Sequence, residues 1–336
     1  MMKTAAQILV ALSALIMGNM AASAEGPVRL VLDYAIQGHQ SPIVLAADGG
    51  YFERAGANVQ VDRGYGSGDS ITKVASGAYD VAFADLGALI TFNSKQGSTK
   101  LIDVFQVYDV APMVMLSLKA SNITKPADLA GKRIASPPGA SSRVMFPTFA
   151  KVNRIDTSGI KWIDVTPQLR EVMLKQGQAD ATTALITDVA GLEHLGISED
   201  EISIMRFSDY GVDLYGHGLL TTGEFAEKHP EVIRKLVKGV AEALKASIAN
   251  PTAAIAALKK RDALADESLE RRRLELVLAD AIMTDHVKKA GLSAVDMGRM
   301  QKMIDLVTAT YNRPSMKAVE LYRPDYLPPR SELMLP

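Results

Sequence analysis

Residues 75–85 read ASGAYDVAFAD, and residues 175–185 read KQGQADATTAL. Gly77 and Asp80 in the first stretch are answered by Gly177 and Asp180 in the second. Each copy has a helical run ended by glycine, then two residues, an aspartate and a short apolar run. A glycine at that point suits a helix C-terminus, where a left-handed residue closes the last turn. The apolar run suits a buried strand. A helix end written twice in this way predicts two α/β units of the same plan.

Working outward from the first copy, Val28–Ala35 reads as a buried strand and Ser41-Pro42 as a helix start, with Ser as N-cap and Pro at the first helical position. Val59–Val61 reads as a strand, and RGYGSGDS as a glycine-rich loop feeding a helix that ends at Gly77. Tyr79–Asp85 is a strand, LGALITFNS a helix and Lys100–Tyr108 a strand. The alternation predicts a parallel sheet with helices on both faces, and ligands in such sheets sit at the carboxyl ends of the strands. Around the second copy the plan recurs: strand Arg133–Ser136, loop SPPGASSR, a helix, strand IKWIDVTP, helix LREVMLKQG, strand QADATTALIT and a short helix from Asp188. From Glu231 to Leu306 the chain is helix-rich, and RPDYLPPRSELMLP is a proline-rich tail.

The chain thus goes out to a second unit, near Ala111–Ser121, and comes back near Val212–Thr222. Two crossings make a two-strand hinge around a cleft. Two unrelated α/β domains give the same coarse pattern.

Bulk properties narrow the function. The chain has 336 residues and a net charge of −1, with no cysteine. Nothing in the charge pattern marks a nucleic-acid surface, and Arg271–Arg273, flanked by Glu270 and Glu275, reads as a solvated helix face. Disulfides, cysteine-ligated metals and thiol catalysis are excluded. The five histidines lack metal-ligand spacing. Lys3, the apolar run Ile8–Met17 and Ala22-Ser23-Ala24 read as a cleavable export signal over residues 1–24, with the mature chain beginning near Glu25; an uncleaved anchor is the alternative.

Candidate binding residues gather at predicted strand ends and helix starts. They are Asp33, Tyr34 and His39; Gly66, Ser67, Gly68 and Asp69 of the glycine-rich loop; Asp85; Tyr108; Ser141, Ser142 and Arg143; Asp188; and Tyr210 and Tyr215. Glycines allow close backbone approach, and the unpaired N–H groups of a helix start favour a polar or anionic group. Asp69 opposes a free anion there. Tyrosines bury rings while a few polar groups fix orientation. No nucleophile–base pair stands out, although Asp33, Asp85 and His39 suffice for an acid–base set and leave an exported enzyme as the rival reading.

LDYAIQGHQSPIVLAADGGYFERAG, KVASGAYDVAFADLGALI, ITKPADLAGKRIASPPG, LKQGQADATTAL and DLYGHGLLTTGEFAEKHPEVIRKLV together resemble the periplasmic substrate-binding proteins of ABC importers. The nearest group includes nitrate-, taurine-, alkanesulfonate- and thiamine-pyrimidine-precursor-binding proteins. The resemblance implies a bilobed periplasmic-binding-protein (type II, venus-flytrap) fold, with lobe one formed by 27–110 plus 217–336 and lobe two by 111–216. It implies a small-molecule ligand in the cleft, no cofactor, an ABC permease as partner, a periplasmic location and a monomer. By position it carries ligand-binding roles onto Asp33-Tyr34, His39, Gly66–Asp69, Asp85 and Ser141–Arg143. A pyrimidine-synthase branch of the same fold is enzymatic, but its members carry a cysteine-rich motif that this chain lacks.

Overall fold

The structure is a computed structural model that describes residues 26–335; the export-signal reading of residues 1–24 lies outside the described residues. Two five-stranded sheets organise the chain. In the first the order is β2-β1-β3-β10-β4, from β1 (Val28–Val31), β2 (Val59–Asp62), β3 (Val81–Asp85), β4 (Leu101–Gln106) and β10 (His217–Thr222). In the second it is β7-β6-β8-β5-β9, from β5 (Met113–Leu118), β6 (Arg133–Ser136), β7 (Lys161–Asp164), β8 (Ala181–Leu185) and β9 (Ile202–Arg206).

The two sheets share one topology, and neither is all-parallel. β1 pairs parallel with β2 and β3, but β10 runs antiparallel to both β3 and β4. In the second sheet β6 pairs parallel with β7 and β8, and β5 lies antiparallel to both β8 and β9. The reason is connectivity. Each sheet takes its antiparallel strand from the far side of a crossing, so the excursion that links the lobes also inserts a reversed strand into each of them. The crossings therefore fall between Gln106 and Met113 and between Arg206 and His217, rather than through Ala111–Ser121 and Val212–Thr222, most of which is sheet.

The repeated stretch has a structural role. Gly77 and Gly177 both adopt left-handed φ, at 77° and 66°. Their carbonyls and the following aspartates clamp an arginine on the neighbouring parallel strand of the same sheet, β1 or β6. Arg29 donates to both oxygens of Asp80 at 2.7 and 3.2 Å and to the Gly77 carbonyl at 3.1 Å. Arg133 donates to Asp180 at 2.7 and 3.2 Å and to the Gly177 carbonyl at 2.9 Å. This bidentate fork pins each helix C-terminus to the N-terminal end of an inner strand.

Most of the core forms two apolar clusters. One packs the first sheet under the helices Ser41–Asp48, Pro230–Ala249 and Pro251–Arg261. The other runs across both lobes: Leu86, Leu89 and Ile90 of the helix Leu86–Asn93 pack with Met145 and Phe149 of the helix Ser141–Val152 and with Met303 and Ile304 of the helix Met297–Thr310. Charged pairs add to this bridge, with Arg206 on Asp280 at 2.9 Å and Arg272 on Glu193 at 3.0 Å.

Two local expectations are corrected. The arginine run is not a solvated face: Arg273 is buried against Glu270, and Arg272 reaches the second lobe. Ser41 is the first residue of its helix, and its hydroxyl donates to the Gly38 carbonyl at 2.6 Å instead of capping. The tail is folded against the first lobe, where Tyr322 bridges Asp103 and the Arg323 N–H donates to the Asp103 carbonyl at 2.9 Å.

Candidate functional site

The C-terminal ends of the parallel strands of both sheets open onto one cavity, with about 440 Å³ of empty space partly open to solvent. The first lobe supplies Asp33, Tyr34, Gln37, His39, Gly66 and Ser67. The second supplies Pro137, Ala140, Ser141, Ser142, Pro167, Arg170, Leu185 and Asp188. Two helices begin at its wall, Ser67–Ala75 and Ser141–Val152, and neither has a side-chain N-cap. The first-turn N–H groups of both are thus left for whatever occupies the cavity.

The glycine-rich loop is shaped by close approach. Gly66 has φ of 130° and donates its N–H to the Asp33 carbonyl at 2.7 Å. A Cβ there would stand 2.5 Å from the Gly139 carbonyl oxygen of the opposite lobe. Gly66→Ala should therefore cost about 1–3 kcal/mol in backbone strain alone. It should also wedge the lobes apart, giving a larger radius of gyration in small-angle scattering than wild type. Gly68→Ala, where nothing lies within 4 Å of the added carbon, should do neither.

Two ionic pairs sit in the walls. Asp33, buried, accepts from Gln40 Nε2 at 2.9 Å and meets His217 Nε2 at 3.0 Å. Burial alone raises the Asp33 carboxyl, but the charge and hydrogen bond of His217 outweigh it and hold it below the usual range. Burial likewise lowers His217, and Asp33 reverses the sign, so His217 sits above its ordinary value. In the other wall Arg170 pairs with Asp188 at 2.8 Å, with Glu171 at 3.6 Å. Burial lowers Arg170, and these carboxylates more than restore it. Asp188 also accepts from the Leu185 N–H at 2.8 Å, which fixes the turn after β8. Between the pairs lie Tyr34, pushed up to about 12 by burial, and His39, lowered by burial to about 4 and hence a neutral ring.

Eight of the fifteen sequence candidates line this cavity: Asp33, Tyr34, His39, Gly66, Ser67, Ser141, Ser142 and Asp188. The others lie elsewhere, for local reasons. Gly68 and Asp69 follow the helix start but turn outward, and Asp69 pairs with Lys73 at 2.7 Å. Arg143 is two residues past the cavity-facing Ser141, so the helix swings it to the outer groove, over the Trp162 ring at 3.4 Å. Asp85 is buried behind the wall and caps the next helix, accepting from the Ala88 N–H at 2.8 Å. Tyr108 is core: it stacks edge-on to Phe83, and its hydroxyl supports the His39 carbonyl at 3.1 Å. Tyr210 lies against Phe149, and Tyr215 is buried under the Arg299 guanidinium, accepting from the Asp296 N–H.

Arg170 is the main residue the sequence reading missed. The structure alone reveals it: Arg170 and Leu174 stand one helical turn apart and both are buried, so a charge occupies the inward face of the helix. Gln37 follows Asp33-Tyr34 in the stretch after the first strand, where the sequence places candidates, whereas Pro137, Ala140, Pro167 and Leu185 belong to loops and strand ends with no distinguishing pattern.

Two similar mixed sheets, joined by two crossings and sharing one cavity between their strand ends, define a periplasmic-binding-protein fold. Solved structures agree. An alkanesulfonate-binding protein from Xanthomonas axonopodis pv. citri aligns with a TM-score of 0.64 at 18% identity over 90% of this chain and 99% of that one. The periplasmic nitrate-binding protein of Synechocystis PCC 6803 aligns at 0.68 and 13% identity, over 89% and 86%. The taurine-binding periplasmic protein of Escherichia coli is 28% identical over 212 residues, 62% of this chain and 63% of its own length. The chain belongs to the NMT1/THI5-like family, whose profile matches residues 37–254.

Proposed function

We propose that the protein is a periplasmic solute receptor of an ABC import system, exported by its N-terminal signal and acting as a monomer. It takes a small polar organic molecule into the cavity and delivers it, unchanged, to a membrane permease. The observation that carries this reading is the cavity itself, walled by both lobes at their strand ends. A solute that touches both walls binds only the closed form fully, and so drives closure. A nearly complete shift needs about 5.5 kcal/mol of preference for the closed state. Micromolar affinity corresponds to about 8 kcal/mol, enough to supply it. Residues 27–110 with 217–336 and residues 111–216 are the two moving bodies.

The rival acid–base set finds little support. Asp33 is engaged by His217 and Gln40, and Asp85 is a helix cap behind the wall. Among the sulfonate, nitrate and heterocycle classes, the walls favour an uncharged ring. Their strongest charges are already paired with each other, Asp33 with His217 and Arg170 with Asp188, and Tyr34 offers an aromatic face. The test is thermal shift against pyrimidines, alkanesulfonates, taurine and nitrate, with the solute analysed afterwards. At 100 times the dissociation constant a true ligand adds about 2.7 kcal/mol of stability and is recovered intact. Turnover of the solute would reject the receptor.

A further inference from the structure

Gln40 is buried next to His39, and its carboxamide has one allowed orientation. Its Oε1 lies 3.1 Å from the Gln37 backbone N–H, which only donates. Its Nε2 lies 2.9 Å from Asp33 Oδ1, a carboxylate oxygen that accepts. The nitrogen is therefore a donor, and its second hydrogen meets His39 Nε2 at 2.8 Å. His39 Nε2 must accept. An uncharged imidazole that accepts at Nε2 carries its proton on Nδ1. That Nδ1 is buried and has no partner among the described residues, although His39 lines the cavity. A buried donor left unmatched costs about 1–3 kcal/mol, an expense that a bound solute would remove.

We propose that Gln40 is a positioning residue that locks His39 in the Nδ1–H form, and that this N–H reads a hydrogen-bond acceptor on the solute. The second half rests on the receptor reading above. The acceptor is a ring nitrogen or carbonyl oxygen, and a solute presenting a donor at that point is refused. The groups around His39 fit this assignment. Asp33 is held by Gln40 and His217, and Asp188 by Arg170. Arg273 is held by Glu270, and the Tyr108 hydroxyl is spent on the His39 carbonyl.

The test has two arms, both on the full chain. In the first, histidine is labelled with nitrogen-15 and the ring tautomers are read by long-range proton–nitrogen correlation. Wild-type His39 should show a protonated Nδ1 and a bare Nε2 from about pH 5.5 to 8. Gln40→Glu, which offers Nε2 an acceptor instead of a donor, should convert the ring to the Nε2–H form or to imidazolium. A wild-type ring already in either of those forms at pH 7 overturns the assignment. In the second, cytosine, uracil, nicotinamide and methanesulfonate are the probes, and binding is followed by native mass spectrometry. His39→Asn keeps an N–H near the Nδ1 position and should bind the retained probe within about threefold of wild type, whereas His39→Leu should lose about 10-fold or more. Equal binding by His39→Leu overturns the donor's role and leaves the receptor standing. Retention of no probe by any form counts against the receptor and the donor's role together, while the tautomer result stands by itself.

Discussion

Arg170→Met should lower the free energy of unfolding by about 3–5 kcal/mol, because it leaves the Asp188 carboxylate buried without its counter-charge. Asp188 is 5% exposed, and its Oδ2 otherwise keeps only the Leu185 N–H. The loss would be an uncompensated charge more than a missing attraction, and a second substitution separates the two. Asp188→Asn added to Arg170→Met removes the stranded charge, and its side-chain oxygen can still accept from Leu185. The double variant should therefore regain most of the lost stability. It should not regain solute binding, since both residues line the cavity. Arg143→Met is the control. Arg143 lies over Trp162 on the outer face, 3.7 Å from an exposed Asp164. Its removal gives up an interaction worth about 0.5–1 kcal/mol and leaves binding intact. Urea denaturation of the four proteins decides the matter. A loss below about 1 kcal/mol for Arg170→Met would mean that water already solvates the Asp188 carboxylate, and that the pair does not organise the wall.

The two stretches at residues 75–85 and 175–185 show what a sequence exposes well. Helix termination by a left-handed glycine and burial of an apolar strand are local events, so their repetition announces a repeated unit. The partner of each aspartate was not legible: Arg29 and Arg133 lie about fifty residues upstream and become neighbours only through parallel strand pairing. The same limit applies to the sheets. Alternating strands and helices point to parallel pairing, and only the path of the chain between lobes places a reversed β10 and β5 in the two sheets. In the site, residues at strand ends and first helical turns were readable because those positions face the cleft by construction: Asp33, Tyr34, Ser67, Ser141. Arg143 and Asp69 failed because one further residue on a helix rotates a side chain by about 100°. The tyrosines failed because an aromatic beside a strand end is as readily core as wall, and Tyr108 and Tyr215 are core.

His39 carries the other large effect, and its sign is fixed by burial. The ring titrates near 4 in the folded protein against about 6.5 when free. Above pH 6.5 it is neutral in both states and costs nothing. Between about pH 6.5 and 4 the unfolded chain takes up a proton that the folded chain refuses, so stability should fall by about 3 kcal/mol across that window. The neighbouring ion pair does not share this slope. The folded-state value of His217 is raised, so its contribution is fully present below about 6.5, and that of Asp33 is lowered, so its contribution is lost only further into acid. Asp85 and Asp103 are raised by burial and act in the opposite direction, gaining protons in the folded state as pH falls. Their effect is common to wild type and variant and cancels in a difference. Chemical denaturation of wild type and His39→Asn from pH 7.5 to about 4 should give curves that converge on acidification by about 3 kcal/mol. Curves that stay parallel would show that His39 titrates as an ordinary exposed histidine. The ring would then be open to water, and His39 would not form a buried part of the cavity wall.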